Sequence, residues 1–177
     1  VELAEGFELA PNILALGGEL KSTVCLLAKG KANISEVLGD LEQEHVYRHF
    51  ITQVDRAFEF CSPTHLVIDK HPDYLSSQWG ERLAQEKNLR LHAVQHHHAH
   101  LAALLAEHAI GVDEVVLGVV FDGTGYGDDG TIWGGEFLLG GYTDVERVGH
   151  LAPVPLPGGD ATIRRPFRTA LAFLHDA

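Results

Sequence analysis

The order of strand-like and helical segments constrains the fold more than any other feature of the chain. An apolar three-strand pattern occupies residues 13–35 and returns, with negligible sequence identity, at residues 115–151. Between the two copies, helix-like and strand-like periodicities alternate, which predicts an α/β fold with a largely parallel sheet and helices on its faces. The predicted segments between the copies are a helix within 35–61, a strand at 65–69, a helix at 76–86, a strand at 89–94 and a helix at 96–110.

The repeated pattern predicts two lobes built from one architectural unit. We assign residues 12–113 to a complete first lobe, and residues 114–177 to the beginning of a second, because the helices and strands that follow the first copy do not follow the second. Residues 1–11 are interpreted as an N-terminal tether. The chain has no methionine, not even at its start, so we expect it to be a fragment of a longer protein.

Composition and charge exclude several classes of function. A formal net charge of −12 disfavours binding to phosphate backbones, so we expect no nucleic-acid partner. The two cysteines form no C-x-x-C pair, which suits a reducing compartment. No apolar run approaches the ~20 residues that span a bilayer, and no signal peptide is visible. We therefore expect a cytoplasmic location and no membrane partner.

The histidine-rich helix is the strongest candidate for chemistry. Six of the 12 histidines lie between His92 and His108. His96 and His100 are four positions apart on one helix face, a spacing that lets two imidazoles converge on one metal ion. His97 and His98 point elsewhere, and one of them could contact substrate or support a ligand. The alternative is a polar helix face, or histidines satisfied within the core.

Acidic residues and glycines at the ends of strands are the other candidates. Asp122 ends a strand, where it could bind a metal or order the turn that follows. The glycines of the next segment permit the close backbone approach of a phosphate-binding loop, although Asp129-Gly130 also signals a plain hairpin turn. A strand rather than a helix follows, so this is not a Rossmann fingerprint. Asp69–Ser76 also follows a strand end, where either function or turn chemistry is possible. Asp160 could simply cap a helix.

Five segments together resemble the C-terminal domain of the HypF-type carbamoyltransferases, which is related to the tRNA threonylcarbamoyl-transfer proteins. The resemblance implies a fold of the actin, hexokinase and Hsp70 type (the ASKHA fold), with the first lobe complete and the second partial. The segments that carry it are Ala15–Lys21, His71–Ser77, Gln95–His100, Asp122–Phe137 and Pro157–Asp160.

The resemblance also implies site residues. His96, His100 and Asp122 would bind a divalent metal, iron or zinc, with a further acidic ligand located beyond Ala177. His97 and His98 are the catalytic candidates. The residues expected to hold ATP or carbamoyl adenylate are Gly17, Gly18, Lys21, Gly123, Thr124, Gly125, Gly127, Gly158, Gly159 and Asp160.

The activity implied by the resemblance is carbamoyl transfer. Another domain of the enzyme would make carbamoyl adenylate from carbamoyl phosphate and ATP, and this domain would pass the carbamoyl group to the C-terminal cysteine of a HypE-type acceptor protein. The product is a precursor of the cyanide ligands of [NiFe] hydrogenases. The alternatives are a relative that acts on tRNA or a small molecule, or a non-catalytic docking fragment. Alone, the fragment is expected to be weak or inactive.

Overall fold

The described part of the chain forms two β-sheets with flanking helices, and one of these helices joins the two sheets. The computed structural model describes residues 1–162 and 165–176, and for Asp160 and Asp176 the backbone alone. The strands are Ile13–Leu16 (β1), Val24–Ala28 (β2), Lys31–Ile34 (β3), His65–Asp69 (β4), Arg90–Val94 (β5), Val116–Tyr126 (β6), Ile132–Gly140 (β7) and Val145–His150 (β8). The α-helices are Glu44–Phe60 (α1), Leu75–Lys87 (α2), His96–Glu107 (α3) and Phe167–Asp176 (α4), and short 3-10 helices occupy Phe7–Leu9 and Gly159–Thr162.

The first sheet has the strand order β3-β2-β1-β4-β5. The pairs β1/β4 and β4/β5 are parallel, whereas β1/β2 and β2/β3 are antiparallel, so the sheet is mixed rather than largely parallel as predicted. The connection length explains the difference. Short connections, residues 17–23 and 29–30, join β1, β2 and β3 and reverse the chain, whereas the longer crossovers that contain α1 and α2 return it to a parallel strand. Leu14 and Leu66 of the sheet and Phe50 of α1 are fully buried in its core.

The second sheet is an antiparallel meander of order β6-β7-β8. Helix α3 follows β5 of the first sheet but packs its apolar face on the second, where Leu101 and Leu105 join Trp133 and Leu138 in a separate core. The approach is close at Gly118, where an added Cβ would lie 2.8 Å from a methyl of Leu101. Helix α3 therefore connects the two sheets and carries its side chains into the space between them.

Most of the predicted elements are confirmed, with two exceptions near glycines. Residues 35–43 are not helical, because this segment pairs back to the β1–β2 turn: Leu38 N–H donates to the Ser22 carbonyl (2.8 Å) and Ser22 N–H to the Gly39 carbonyl (3.0 Å). The prediction that a glycine-rich turn begins directly after Asp122 is also wrong. Strand β6 continues to Tyr126 through an irregularity between Phe121 and Gly125, and the chain turns at residues 127–131, which confirms the hairpin signal at Asp129-Gly130.

The first residues, interpreted as a tether, lie against the sheets. The Val1 amino group donates to the Ala32 carbonyl (2.7 Å), and Leu3 N–H donates to the Gly30 carbonyl (3.1 Å). The Phe7 ring packs in a T-shaped arrangement with Tyr142, in the turn between β7 and β8, at a centroid distance of 5.1 Å. Among the described residues, no helix has the length and apolarity needed to cross a membrane.

Candidate metal centre

Helix α3 begins at the carboxyl edge of the first sheet, directly after β5. Gln95 caps it, because the Gln95 side-chain oxygen accepts the His98 N–H at 2.9 Å. His96 is the first helical residue and His100 lies one turn later. Their Nε2 atoms are 3.2 Å apart, so the two imidazoles share one face of the helix, as the four-residue spacing predicts.

Asp122 of β6 faces this histidine pair. Its Oδ2 lies 2.9 Å from His96 Nε2 and 3.4 Å from His100 Nε2, and Asp122 Oδ1 accepts the Gly123 N–H at 2.7 Å. The three possible ligand atoms all lie within 4.8 Å of one another. Two imidazole nitrogens and one carboxylate oxygen suit zinc or iron, so the donor set fits the divalent metal that the sequence predicts.

A second carboxylate, that of Asp69, holds His96 from the opposite side. Asp69 ends β4, and its Oδ2 lies 2.7 Å from His96 Nδ1. The hydrogen bond that His96 donates to Asp69 raises the pKa of His96 above its usual value, against the opposing effect of burial and with help from Asp122. Asp69 was not among the predicted site residues. Its signal was its place at the carboxyl end of a strand, where sites of α/β proteins gather.

His97 and His98 hold α3 against the second sheet. The His97 side chain is fully buried, its Nε2 donates to the Gly134 carbonyl (3.0 Å), and its Nδ1 accepts from the Gln95 amide (3.0 Å). Burial lowers the pKa of His97, which favours the neutral ring that this bonding pattern requires. His98 Nε2 donates to the Gly141 carbonyl at 2.9 Å. These contacts favour a positioning role for both residues over the catalytic role predicted for them.

The predicted nucleotide-binding glycines have different surroundings. Gly18 lies beside the site, because an added Cβ would be 3.9 Å from His96 Cε1. Gly125 in β6 and Gly127 directly after it instead allow close packing, since added Cβ atoms would lie 2.6 Å from His97 and 2.1 Å from Trp133, respectively. Gly17 and the exposed Lys21 lie in the β1–β2 connection, and Thr124 is half-buried in β6. Gly158 lies near Arg168, and Gly159 begins a 3-10 helix. The Asp160 side chain is outside the described part of the chain.

The close approach of Gly125 to His97 leads to a stability prediction. We expect Gly125→Ala to lower the free energy of unfolding by about 1–3 kcal/mol, because the buried His97 ring has no space to withdraw. Gly123→Ala is the matched control, since nothing within the described residues lies within 4 Å of its added Cβ. Denaturant titration should show a change of no more than about 0.5 kcal/mol for the control. Equal effects of the two substitutions would contradict the packing argument.

A buried ion pair supports the second sheet behind these contacts. Glu136 of β7 is 2% exposed and accepts two hydrogen bonds from Arg147, from Nε at 2.5 Å and from Nη2 at 3.0 Å. Its Oε1 also accepts the Gly134 N–H at 2.9 Å, and the Arg147 guanidinium lies 4.2 Å from the centroid of the Trp133 ring. Gly134 therefore bonds to both side chains: its N–H donates to Glu136, and its carbonyl accepts a hydrogen bond from His97.

Comparison with known proteins identifies relatives along nearly the whole chain. The HypF Kae1-like domain model matches residues 8–107, and the model for the second subdomain of the carbamoyltransferase Kae1-like domain matches residues 118–177. Carbamoyltransferase HypF2 of Cupriavidus necator is 45% identical over 93% of this chain. Carbamoyltransferase HypF of Rhodobacter capsulatus is 44% identical over 99% of it.

The solved structures show the same relationship in three dimensions. The crystal structure of full-length HypF in the phosphate- and nucleotide-bound form superposes with a TM-score of 0.89 and 40% identity, over 99% of this chain and 23% of that one. The chain likewise spans only 20% of the Cupriavidus protein and 24% of the Rhodobacter protein. Its mixed α/β architecture is thus that of one part of these larger enzymes, and the chain belongs to the HypF Kae1-like domain family.

Proposed function

We propose that this chain is the carbamoyl-transfer part of a HypF-type carbamoyltransferase. The observation that carries the proposal is the convergence of His96 and His100 from α3 with Asp122 from β6, in a chain whose relatives are named carbamoyltransferases. Because the chain spans about a quarter or less of those relatives, the activity is proposed for the whole protein to which it corresponds.

The proposed reaction is attack of a thiolate on an activated carbamoyl group. The sulfur of a C-terminal cysteine in a HypE-type acceptor forms a bond to the carbamoyl carbon of carbamoyl adenylate. The bond between that carbon and the phosphate oxygen breaks, and AMP leaves with the electron pair, so the product is an S-carbamoyl cysteine. A bound divalent metal would act as a Lewis acid on the carbonyl oxygen. His96, His100 and Asp122 would hold the metal.

The surrounding residues of this chain would position the reactants. Gly18 lies beside His96, so we propose that the Gly17–Gly18 turn, with Lys21, holds part of the adenylate. Gly123 and Thr124 would contribute from the second sheet, and Gly158, Gly159 and Asp160 from the segment before α4. Full-length HypF has been crystallised in a phosphate- and nucleotide-bound form, which supports a nucleotide-binding role in the family. His97 and His98 keep α3 on the second sheet, so that ligands from both elements meet.

We further propose that the two sheets are the complete first lobe and the partial second lobe of an ASKHA fold. Each sheet begins with an antiparallel three-strand meander, β1-β2-β3 in the first and β6-β7-β8 in the second. The leading strand of the first meander, β1, also has a parallel partner in β4. This architectural similarity without sequence identity is what a duplicated lobe predicts.

Isotope transfer tests the proposed reaction. Full-length protein incubated with ATP and 14C-carbamoyl phosphate is expected to label a purified HypE-type acceptor that ends in cysteine, and not the same acceptor with a terminal serine. His108→Ala, at the far end of α3, is a control that should leave labelling intact. Labelling of tRNA or of a small molecule would favour a related transferase. Absence of labelling from every acceptor would leave the docking-fragment alternative.

A further inference from the structure

We infer that Asp69 is a positioning residue that orients His96 for metal binding. The inference rests on the metal site proposed above and adds to it a residue outside the ligand set. Asp69 Oδ2 lies 2.7 Å from His96 Nδ1, while His96 Nε2 faces Asp122 at 2.9 Å and His100 at 3.2 Å. Nδ1 of His96 therefore bonds to Asp69, while Nε2 faces the other candidate metal ligands.

The bonding pattern determines which nitrogen carries the proton of the neutral ring. An ionised carboxylate only accepts hydrogen bonds, so a contact of 2.7 Å to Asp69 requires a proton on His96 Nδ1. The Asp122 carboxylate competes for a proton on Nε2 from 2.9 Å, but Asp69 is nearer, so in the neutral ring the proton lies on Nδ1 and the lone pair on Nε2, the nitrogen directed at His100 and Asp122. Ligating histidines commonly donate their second N–H to a carboxylate in this way, and the partner determines the tautomer and the ring orientation.

Asp69 cannot share the same ion as His96 Nε2 while it keeps this contact. The two ring nitrogens point away from each other, and Asp69 lies on the Nδ1 side. Its role is therefore to support His96 rather than to bind the metal beside it. This distinguishes Asp69 from Asp122, which contacts the Nε2 atoms of both histidines.

Asp69 is itself held firmly by the first sheet. Its side chain is 8% exposed, its Oδ1 accepts the His71 N–H at 2.8 Å, and its backbone carbonyl accepts the Ser77 hydroxyl at 2.9 Å. Strand β4, which it ends, is hydrogen-bonded on both sides, to β1 and to β5. A support with its own rotamer fixed in this way can hold a ligand accurately.

The Asp69–His96 contact also joins the two halves of the molecule. Helix α3 packs on the second sheet, which also supplies Asp122, so all three candidate ligands are attached to that sheet. Asp69 is the contribution of the first sheet. The ring of His96 is therefore oriented correctly only when α3 sits in its observed place against the end of β4.

The test compares Asp69→Asn and Asp69→Ala with Asp73→Asn, an exposed residue of the same loop that undergoes the same charge change. The measurements are Zn²⁺ affinity, by competition with a chromogenic chelator, and the His96 tautomer, by 15N NMR of metal-free protein labelled with 15N-histidine. We expect the Asp69 variants to bind Zn²⁺ about 10–100-fold more weakly. We also expect the neutral His96 ring to lose its preference for the Nδ1–H tautomer, most completely in Asp69→Ala, whose side chain offers no acceptor, while Asp73→Asn matches the wild type in both measurements.

Zn²⁺ binding by the wild type tests the proposed metal site, and the His96 tautomer tests the role of Asp69. If the wild type binds no Zn²⁺, the metal-site proposal fails, and the tautomer comparison still decides whether Asp69 orients His96. If the wild type binds Zn²⁺ and the Asp69 variants bind it within about twofold with an unchanged tautomer, the inference is overturned. A thermal unfolding midpoint close to that of the wild type in the metal-free Asn variant would show that a weaker affinity is not a consequence of misfolding.

Discussion

Replacing His96 and His100 together by alanine is expected to weaken divalent-metal binding by at least about 1,000-fold. The reason is that the substitution removes both imidazole nitrogens of the candidate ligand set and leaves Asp122 alone. Losing only an outer partner of a metal ligand costs about 10–100-fold in affinity, and losing two ligands must cost more. Metal analysis of purified full-length protein, followed by Zn²⁺ titration, measures the effect.

The fold should survive this double substitution, because the His100 side chain is 55% exposed and that of His96 is 23% exposed. His108→Ala serves as the control, because it removes an exposed imidazole at the other end of α3. Carbamoyl transfer by the double variant should fall in parallel with its metal content. Full transfer activity in a protein with no bound metal would rule out the proposed role of this site.

Glu136→Ala is expected to produce the largest loss of stability, about 3 kcal/mol of unfolding free energy. The substitution removes the nearer carboxylate from the Arg147 guanidinium, which keeps only a longer contact with Asp129 (3.7 Å). Because the Arg147 side chain is 25% exposed and retains this contact, the cost lies at the lower end of the range for breaking a buried ion pair. The Gly134 N–H also loses its acceptor. Urea titration with linear extrapolation gives the difference, and Glu146→Ala, an exposed acid on the neighbouring strand β8, should change stability by no more than about 0.5 kcal/mol.

The contribution of Glu136 to the free energy of unfolding should also depend on pH. Burial raises the pKa of this carboxyl, but the hydrogen bonds from Arg147 and from Gly134 N–H outweigh it, so the pKa lies below its usual 4.5. The charge therefore stabilises the fold fully above pH 4.5, and this contribution is lost as the pH falls through the lowered pKa. The difference between wild type and Glu136→Ala should shrink in acid. A difference that stays constant down to about pH 2 would contradict this account.

The candidate ligand pair could be predicted from local spacing, but its surroundings could not. His96 and His100 share a helix face because an α-helix repeats every 3.6 residues, and that property is local. The contact of His96 with Asp69 spans 27 positions, and that of His97 with Gly134 spans 37. No periodicity encodes such contacts, so the four histidines at 96–100 are equivalent as candidates for chemistry until packing separates them.

The glycines in β6 and directly after it show the same limit. A glycine in a turn and a glycine that admits a neighbouring ring are identical in sequence, and the residues from Asp122 to Gly127 therefore predict a phosphate-type turn. In the fold, Gly125 lies against the buried His97 ring and Gly127 against Trp133. Their role depends on where α3 and β7 come to rest, which the residues of β6 do not specify by themselves.

The amino-acid sequence by itself determined the order of strands and helices, the two antiparallel meanders and the shared face of His96 and His100, because short-range periodicity and turn chemistry encode them. Only the tertiary structure decided that Asp122 reaches that face, that Asp69 orients His96, and that His97 and His98 attach α3 to the second sheet. Those outcomes depend on how the two hydrophobic cores are placed on either side of α3. Contacts between residues that are distant in sequence stabilise that placement, and no local pattern encodes them.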